Sequence, residues 1–172
     1  IKYKDITGDG KITTEDRTSI GNGYPLFYGG LTNNFQFYGI DLSIMFQYSI
    51  GNEVYNATRM FTTMSDIRRG NTLAEVADRW REDNASTKVH SAEGYIKYDV
   101  SSRFIEDGSY LRLKNITFGY TLPESFTRKF YVSKLRLYAS AQNLFCLTKY
   151  SGYDPEVNTL SSPLMPGFDW GA

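Results

Sequence analysis

Cys146 and His90 are the only cysteine and the only histidine in this chain of 172 residues. A single cysteine excludes an internal disulfide and a cysteine-rich zinc site, and a single histidine excludes a histidine cluster. Net charge is missing too. Nineteen Lys and Arg balance 19 Asp and Glu, so the basic surplus that holds a nucleic-acid backbone is absent. No run reaches the roughly 18 apolar residues of a membrane-spanning helix. No basic stretch leads into an apolar one as in a secretory leader. Internal repeats, low-complexity tracts, phosphate loops and a Ser-His-Asp set are likewise lacking, and the chain reads as a non-enzyme.

Aromatic residues are plentiful: 14 Tyr and 11 Phe help bring the aromatic share to 16%. That favours extended strands and wet–apolar boundaries. Two alternating runs follow the turn cluster Gly21-Asn22-Gly23-Tyr24-Pro25. Leu31, Phe35 and Phe37 oppose Thr32, Asn34 and Gln36. Then Ile40, Leu42, Ile44, Phe46, Tyr48 and Ile50 oppose Asp41, Ser43, Met45, Gln47 and Ser49. Period-2 alternation of this length predicts strands, and Tyr38-Gly39 between them predicts a tight hairpin.

Leu111 and Leu113 have one parity and Ile116, Phe118, Tyr120 and Leu122 the other, so a bulge near Lys114-Asn115 is needed to keep one apolar face. Pro123 opens a turn region to about 133. A fourth strand sets Leu135, Leu137, Ala139, Ala141 and Phe145 against Arg136, Tyr138, Ser140 and Gln142. Between the hairpins, Thr72 to Arg81 predicts a short helix, with Thr72 and Glu75 as a capping box and Leu73, Val76, Ala77 and Trp80 on one stripe. The chain divides into 1–27, a hairpin at 28–50, a long segment at 51–107, a hairpin at 108–148, and 149–172. Short and long connections alternating between strands, apolar on one side and polar on the other, suit an outer-membrane β-barrel. They equally suit a soluble all-β calcium-binding module whose sheet buries one face.

Calcium enters through Asp5-Ile6-Thr7-Gly8-Asp9-Gly10-Lys11-Ile12-Thr13-Thr14-Glu15-Asp16. Calcium takes six to eight hard oxygens, and a twelve-residue loop supplies them at fixed positions. Asp5, Thr7 and Asp9 offer side-chain oxygens at positions 1, 3 and 5, Lys11 a carbonyl at 7, Thr13 a water-mediated contact at 9, and Asp16 the closing carboxylate. Thr7 stands where Asp or Asn is usual, and Asp16 where Glu is usual. A structural Ca2+ is the expected cofactor.

Specific residues narrow the choice of fold. Gly29-Gly30-Leu31-Thr32-Asn33-Asn34-Phe35, Tyr38-Gly39-Ile40-Asp41-Leu42-Ser43 and Phe46 through Asn56 resemble the SusC/RagA family of TonB-linked outer-membrane proteins. So do Asp107 through Tyr120, Ala141-Gln142-Asn143-Leu144-Phe145 and Tyr150-Ser151-Gly152-Tyr153-Asp154-Pro155-Glu156, in the same order. The resemblance implies an all-β, antiparallel C-terminal fragment of a large transmembrane barrel, about four long strands wide. It implies long extracellular loops at 1–27, 51–107 and 149–172, an upstream plug and TonB box, and a final strand beyond the four. It further implies nutrient import of glycans or peptides, with a SusD-like lipoprotein, the TonB complex and outer-membrane lipid as partners.

Loop aromatics are the candidate substrate platform: Tyr55, Trp80, Tyr150, Tyr153 and Trp170, with Phe61, Tyr95, Tyr98 and Phe168 beside them. Their rings can stack on sugars or peptides, or pack among the loops and against a lid. Tyr24, Tyr48, Tyr110 and Tyr120 sit near strand ends, where interfacial girdles form.

Overall fold

A computed structural model describes residues 3–63, 71–87, 89–91, 100–157 and 166–170. They fall into a sheet unit (24–52 and 107–151) and a loop unit (1–23, 53–106 and 152–172).

In the sheet unit, β1 (Phe27–Phe37), β2 (Ile40–Ile50), β5 (Tyr110–Thr121) and β6 (Arg136–Thr148) form one antiparallel sheet in the order β1-β2-β5-β6. The four expected strands are there, the outer ones each a little longer than the alternation marked. Tyr38 (φ 46°) and Gly39 (φ 84°) join β1 to β2. Positive φ at both residues of a two-residue loop matches the right-handed twist of a hairpin.

The predicted bulge is also present. β2 passes from Asn115 to Leu113, and so does β6, leaving Lys114 as the extra residue of β5. Opposite it, β6 bulges at Asn143 and Leu144, with Asn143 at φ 50°.

These irregularities keep a single register of faces. Phe35, Leu42, Phe118 and Ala139 align across the four strands, as do Leu31, Phe46, Leu113 and Phe145. Because successive side chains alternate, the other face carries Thr32, Asn34, Ser43, Gln47, Arg112, Thr117, Ser140 and Gln142. Among the described residues of the sheet unit, no second sheet covers the apolar face. Leu31 is 58% exposed, Leu137 60% and Leu147 61%. A soluble sheet of this kind would bury that face; a barrel wall turns it to lipid. Among the described residues β1 and β6 each have one partner strand, so both edges stand open. Four strands fall short of the roughly eight that close a membrane barrel.

The 123–133 region is a correction. It is no simple turn: α2 (Glu124–Thr127) runs into a 3-10 turn at Arg128–Phe130, and Tyr131 then turns left-handed at φ 59°. Leu122 N–H donates to the Leu135 carbonyl at 2.9 Å and closes its base.

In the loop unit, β3 (Glu53–Asn56) lies between β4 (Ile105–Asp107) and β7 (Phe168–Asp169). β3 pairs with β7 in parallel, and α1 (Ala57–Thr63) follows β3 directly. Asn56 caps α1, its Oδ1 accepting from Arg59 N–H at 2.7 Å. Tyr55, Ala57, Met60 and Phe104 form the core. The helix expected at 72–81 shrinks to a 3-10 turn at Ala74–Asp78, capped by Leu73 without a side-chain hydrogen bond. Only Val76 of its stripe is buried. The Thr72–Glu75 box does not form, because Glu75 is held by Arg59 instead.

Candidate functional site

Among the described residues, three arrangements could serve a ligand: the polar face of the sheet, the loop unit with its charged cleft and aromatic stack, and the Asp-rich loop.

On the polar face, a bidentate pair ties strands that are not neighbours. Arg136 Nε reaches Asp41 Oδ1 at 2.9 Å and Nη2 reaches Oδ2 at 2.5 Å, across the intervening β5. Gly119 pairs with Asp41 on one side and Tyr138 on the other, and a β carbon there would lie 2.5 Å from the Asp41 carboxylate. The missing side chain is the gap through which the pair passes. Farther along, Gln47 Nε2 donates to Tyr110 Oη at 3.1 Å, and the Arg112 guanidinium stands 5.5 Å from the Tyr110 ring. Cys146, half-buried, is level with Arg112 on this face. Such a face can offer hydrogen bonds and charge to a passing polar molecule.

In the loop unit, some of the candidate aromatic residues meet. Tyr55 stacks on Phe168 at 5.3 Å, Phe168 on Trp170 at 5.6 Å, and Phe61 meets Trp170 edge-on at 5.0 Å. Tyr55 is core: its hydroxyl donates to Met60 Sδ at 2.9 Å, and burial pushes its pKa up. Trp170, half exposed, is where ring surface remains for a ligand. Trp80 lies on a separate segment, its backbone N–H donating to the Val89 carbonyl at 3.0 Å. Tyr153 is almost fully exposed, and Tyr150 is buried within the sheet unit. Of the set Tyr55, Trp80, Tyr150, Tyr153 and Trp170, the stack in the loop unit joins Tyr55 and Trp170 through Phe168. Tyr95 and Tyr98 lie outside the described residues.

Sequence reasoning missed a cleft of about 660 Å³ lined by Arg59, Glu75, Asp78, Ser86, Thr87, Val89 and Arg103. Arg59 on α1 organises it, bridging Glu75 through two bonds of 3.0 Å and Glu106 at 3.1 Å. The Arg59 hydrogen bonds hold the Glu75 carboxyl below its ordinary value, and Glu75 and Glu106 keep Arg59 protonated throughout. Thr87 Oγ1 donates to the Asp78 carbonyl and fixes the rim. Burial lowers the His90 pKa, with Arg103 adding to the effect. The one advance signal was Asn56 as an N-cap, which would have placed Arg59 in a first helical turn.

The Asp-rich loop folds around its own carboxylates. Asp5 accepts from Gly8 N–H at 2.6 Å and Gly10 N–H at 2.8 Å, and Asp9 from Lys11 N–H at 2.8 Å. Asp16 Oδ1 accepts from Ile6 N–H, Thr7 N–H and Thr7 Oγ1, and Oδ2 from Thr13 N–H at 2.8 Å. Thr13 and Asp16 make a capping box around the turn Thr14–Asp16. Among the described residues, no three acidic, His or Cys groups converge into a ready metal cage. The donor set still suits a hard cation, since Asp5 and Asp9 hold carboxylate lone pairs beyond those the N–H groups use.

The N–H groups of Thr13, Thr7 and Ile6 bring the Asp16 pKa from 3.8 to about 2. A depressed acid stabilises the fold above its unfolded value, and that support goes as pH falls through the folded value. Hydrogen-exchange protection of the Ile6, Thr7 and Thr13 amides, corrected for intrinsic rates, is expected to hold above pH 3.8 and to collapse near about pH 2.

No family model matches the chain. TonB-dependent receptor P3 of Formosa agariphila is 39% identical over 158 residues, 91% of this chain and 15% of that protein. TonB-dependent receptor SusC of Bacteroides thetaiotaomicron is 28% identical over 91% of this chain and 15% of its own length. Among solved structures, one of the RagAB peptide transporter superposes with a TM-score of 0.74 at 30% identity, covering 84% of this chain and 16% of that one. The chain thus spans about a sixth of the proteins it matches.

Proposed function

The chain belongs to the SusC/RagA family of TonB-dependent receptors, and on that premise we propose that it builds part of the wall of an outer-membrane importer. The two-faced sheet carries the reading: apolar residues in register across four strands, with Leu31, Phe35, Phe118, Leu137 and Phe145 exposed and Leu113 buried, and polar residues in register behind them. In this proposal the apolar face meets lipid and the polar face, with its Asp41–Arg136 clasp, lines the lumen. The Tyr38-Gly39 hairpin and the 122–135 connection point to the periplasm, and the loop unit to the outside.

The cargo is a nutrient oligomer, peptide or glycan, held under a SusD-like surface lipoprotein and driven by the TonB complex. Ca2+ on Asp5, Thr7, Asp9, Lys11 and Asp16 would staple the first outer loop and take no part in chemistry.

The test uses a strain lacking the whole receptor that carries this segment. Growth on one or more peptides or oligosaccharides should fail, return with the receptor gene, and fail again without TonB. An epitope placed at Tyr153 should be reached by antibody on intact cells. Unchanged growth across the panel, or an epitope reached only after the outer membrane is opened, contradicts the proposal. Isothermal titration of the intact receptor showing no calcium uptake would remove the metal alone.

A further inference from the structure

The helical connection between β5 and β6 has a surface that a simple turn does not need. Phe126, Phe130, Tyr131 and Val132 are all exposed, Tyr131 completely. Phe126 and Phe130 are one helical turn apart, with rings 5.6 Å from each other. Thr127, between them in sequence, points the other way and is 2% exposed. The segment 124–134 carries Arg128, Lys129 and Lys134 against Glu124, and Glu124 is bound by Arg128 at 2.8 Å. Lys129 and Lys134 remain as exposed cations beside the aromatic cluster.

Position supplies the partner. Thr121 N–H donates to the Gly39 carbonyl at 2.7 Å, so the connection rises beside the hairpin tip, where Phe37 and Tyr38 are also exposed. From Leu135 and Leu137 the chain runs straight onto the apolar face of the sheet. An aromatic ridge flanked by lysines, continuous with a lipid-facing wall, has the composition of an element lying in a headgroup layer.

We propose that residues 123–134 form an interfacial anchor, with Phe126, Phe130 and Tyr131 seated at the acyl–headgroup boundary of the membrane leaflet at that end. Lys129 and Lys134 would engage anionic phospholipid phosphates. The inference rests on the barrel-wall reading above.

The experiment uses the whole receptor with Cys146→Ser and any other cysteines replaced, in vesicles of phosphatidylethanolamine and phosphatidylglycerol. A nitroxide is attached through Phe130→Cys, Phe118→Cys or Thr117→Cys, and its depth is read from accessibility to oxygen and to a water-soluble nickel reagent. The expected result is label 118 in the acyl region, label 117 in water and label 130 at the headgroup boundary. Label 130 in bulk water while 118 stays in acyl chains overturns the anchor alone. Label 130 shielded from both reagents overturns it in favour of a protein contact. Label 118 in water overturns the barrel wall first. In the Lys129→Glu/Lys134→Glu variant, the receptor's preference for phosphatidylglycerol should fall roughly fivefold for each lysine. An unchanged preference removes the phosphate contacts.

Discussion

Arginine in place of Ile116 is expected to cost the vesicle-embedded receptor about 2–4 kcal/mol of stability, while arginine at the next residue, Thr117, costs little. Ile116 pairs with Ile44 and Ala141, near the middle of β5 and of the apolar face. A cation there sits near the bilayer midplane, with no water and no counterion. Thr117 points to the polar side, level with Ser43 and Ser140. The depth of the site separates lipid from a soluble core. Tyr120→Arg, one residue from the end of the same strand, should cost only about 0–1 kcal/mol, because penalties at the lipid face fade toward the interface. Urea unfolding of the three variants in vesicles measures all of this. Equal costs at 116 and 120 would point to a protein-covered face.

Gly119→Val should be the most damaging substitution on the polar face. Its β carbon would stand 2.5 Å from one Asp41 carboxylate oxygen and 2.6 Å from Arg136 Nη2. The ion pair must open or the strands must part. Overpacking costs about 1–3 kcal/mol, and loss of the Asp41–Arg136 pair adds to it. Asp41→Ala alone should cost little, and in the Gly119→Val background it should return much of the loss by clearing space. Additive costs in that double variant, measured by the same unfolding, would show that the glycine is not there for the pair.

The strands were legible because one face must be apolar throughout. Ile40 to Ile50 repeats every second residue without a break, and the parity change between Leu113 and Ile116 has only a bulge as its remedy. Tyr38-Gly39 showed itself through its brevity. The loop unit was not legible, because its elements depend on distant partners. β3 is four residues long and pairs with Phe168 and Asp169, more than a hundred positions away. α1 is seven residues long and is held by the Met60–Tyr55 packing more than by its own propensity. Glu75 was a cap by spacing and an Arg59 partner in space, a choice that only tertiary contact makes. Phe126 and Phe130 had the spacing of a helical turn after Pro123, a signal hidden by reading Pro123 as a simple break. For the Asp-rich loop, spacing revealed which oxygens are available, while the direction each carboxylate takes is decided by neighbouring N–H groups.

A cysteine scan along β2 tests the barrel wall most directly. Each residue from Ile40 to Ile50 is replaced in turn by cysteine in the outer-membrane receptor with Cys146→Ser and any other cysteines replaced, and exposed to a membrane-impermeant thiol reagent. Positions 41, 43, 45 and 47 should react and 42, 44, 46 and 48 should not, a strict alternation along the strand. Uniform labelling, or the opposite alternation, would contradict a wall with lipid on its apolar side and a watery lumen on the other.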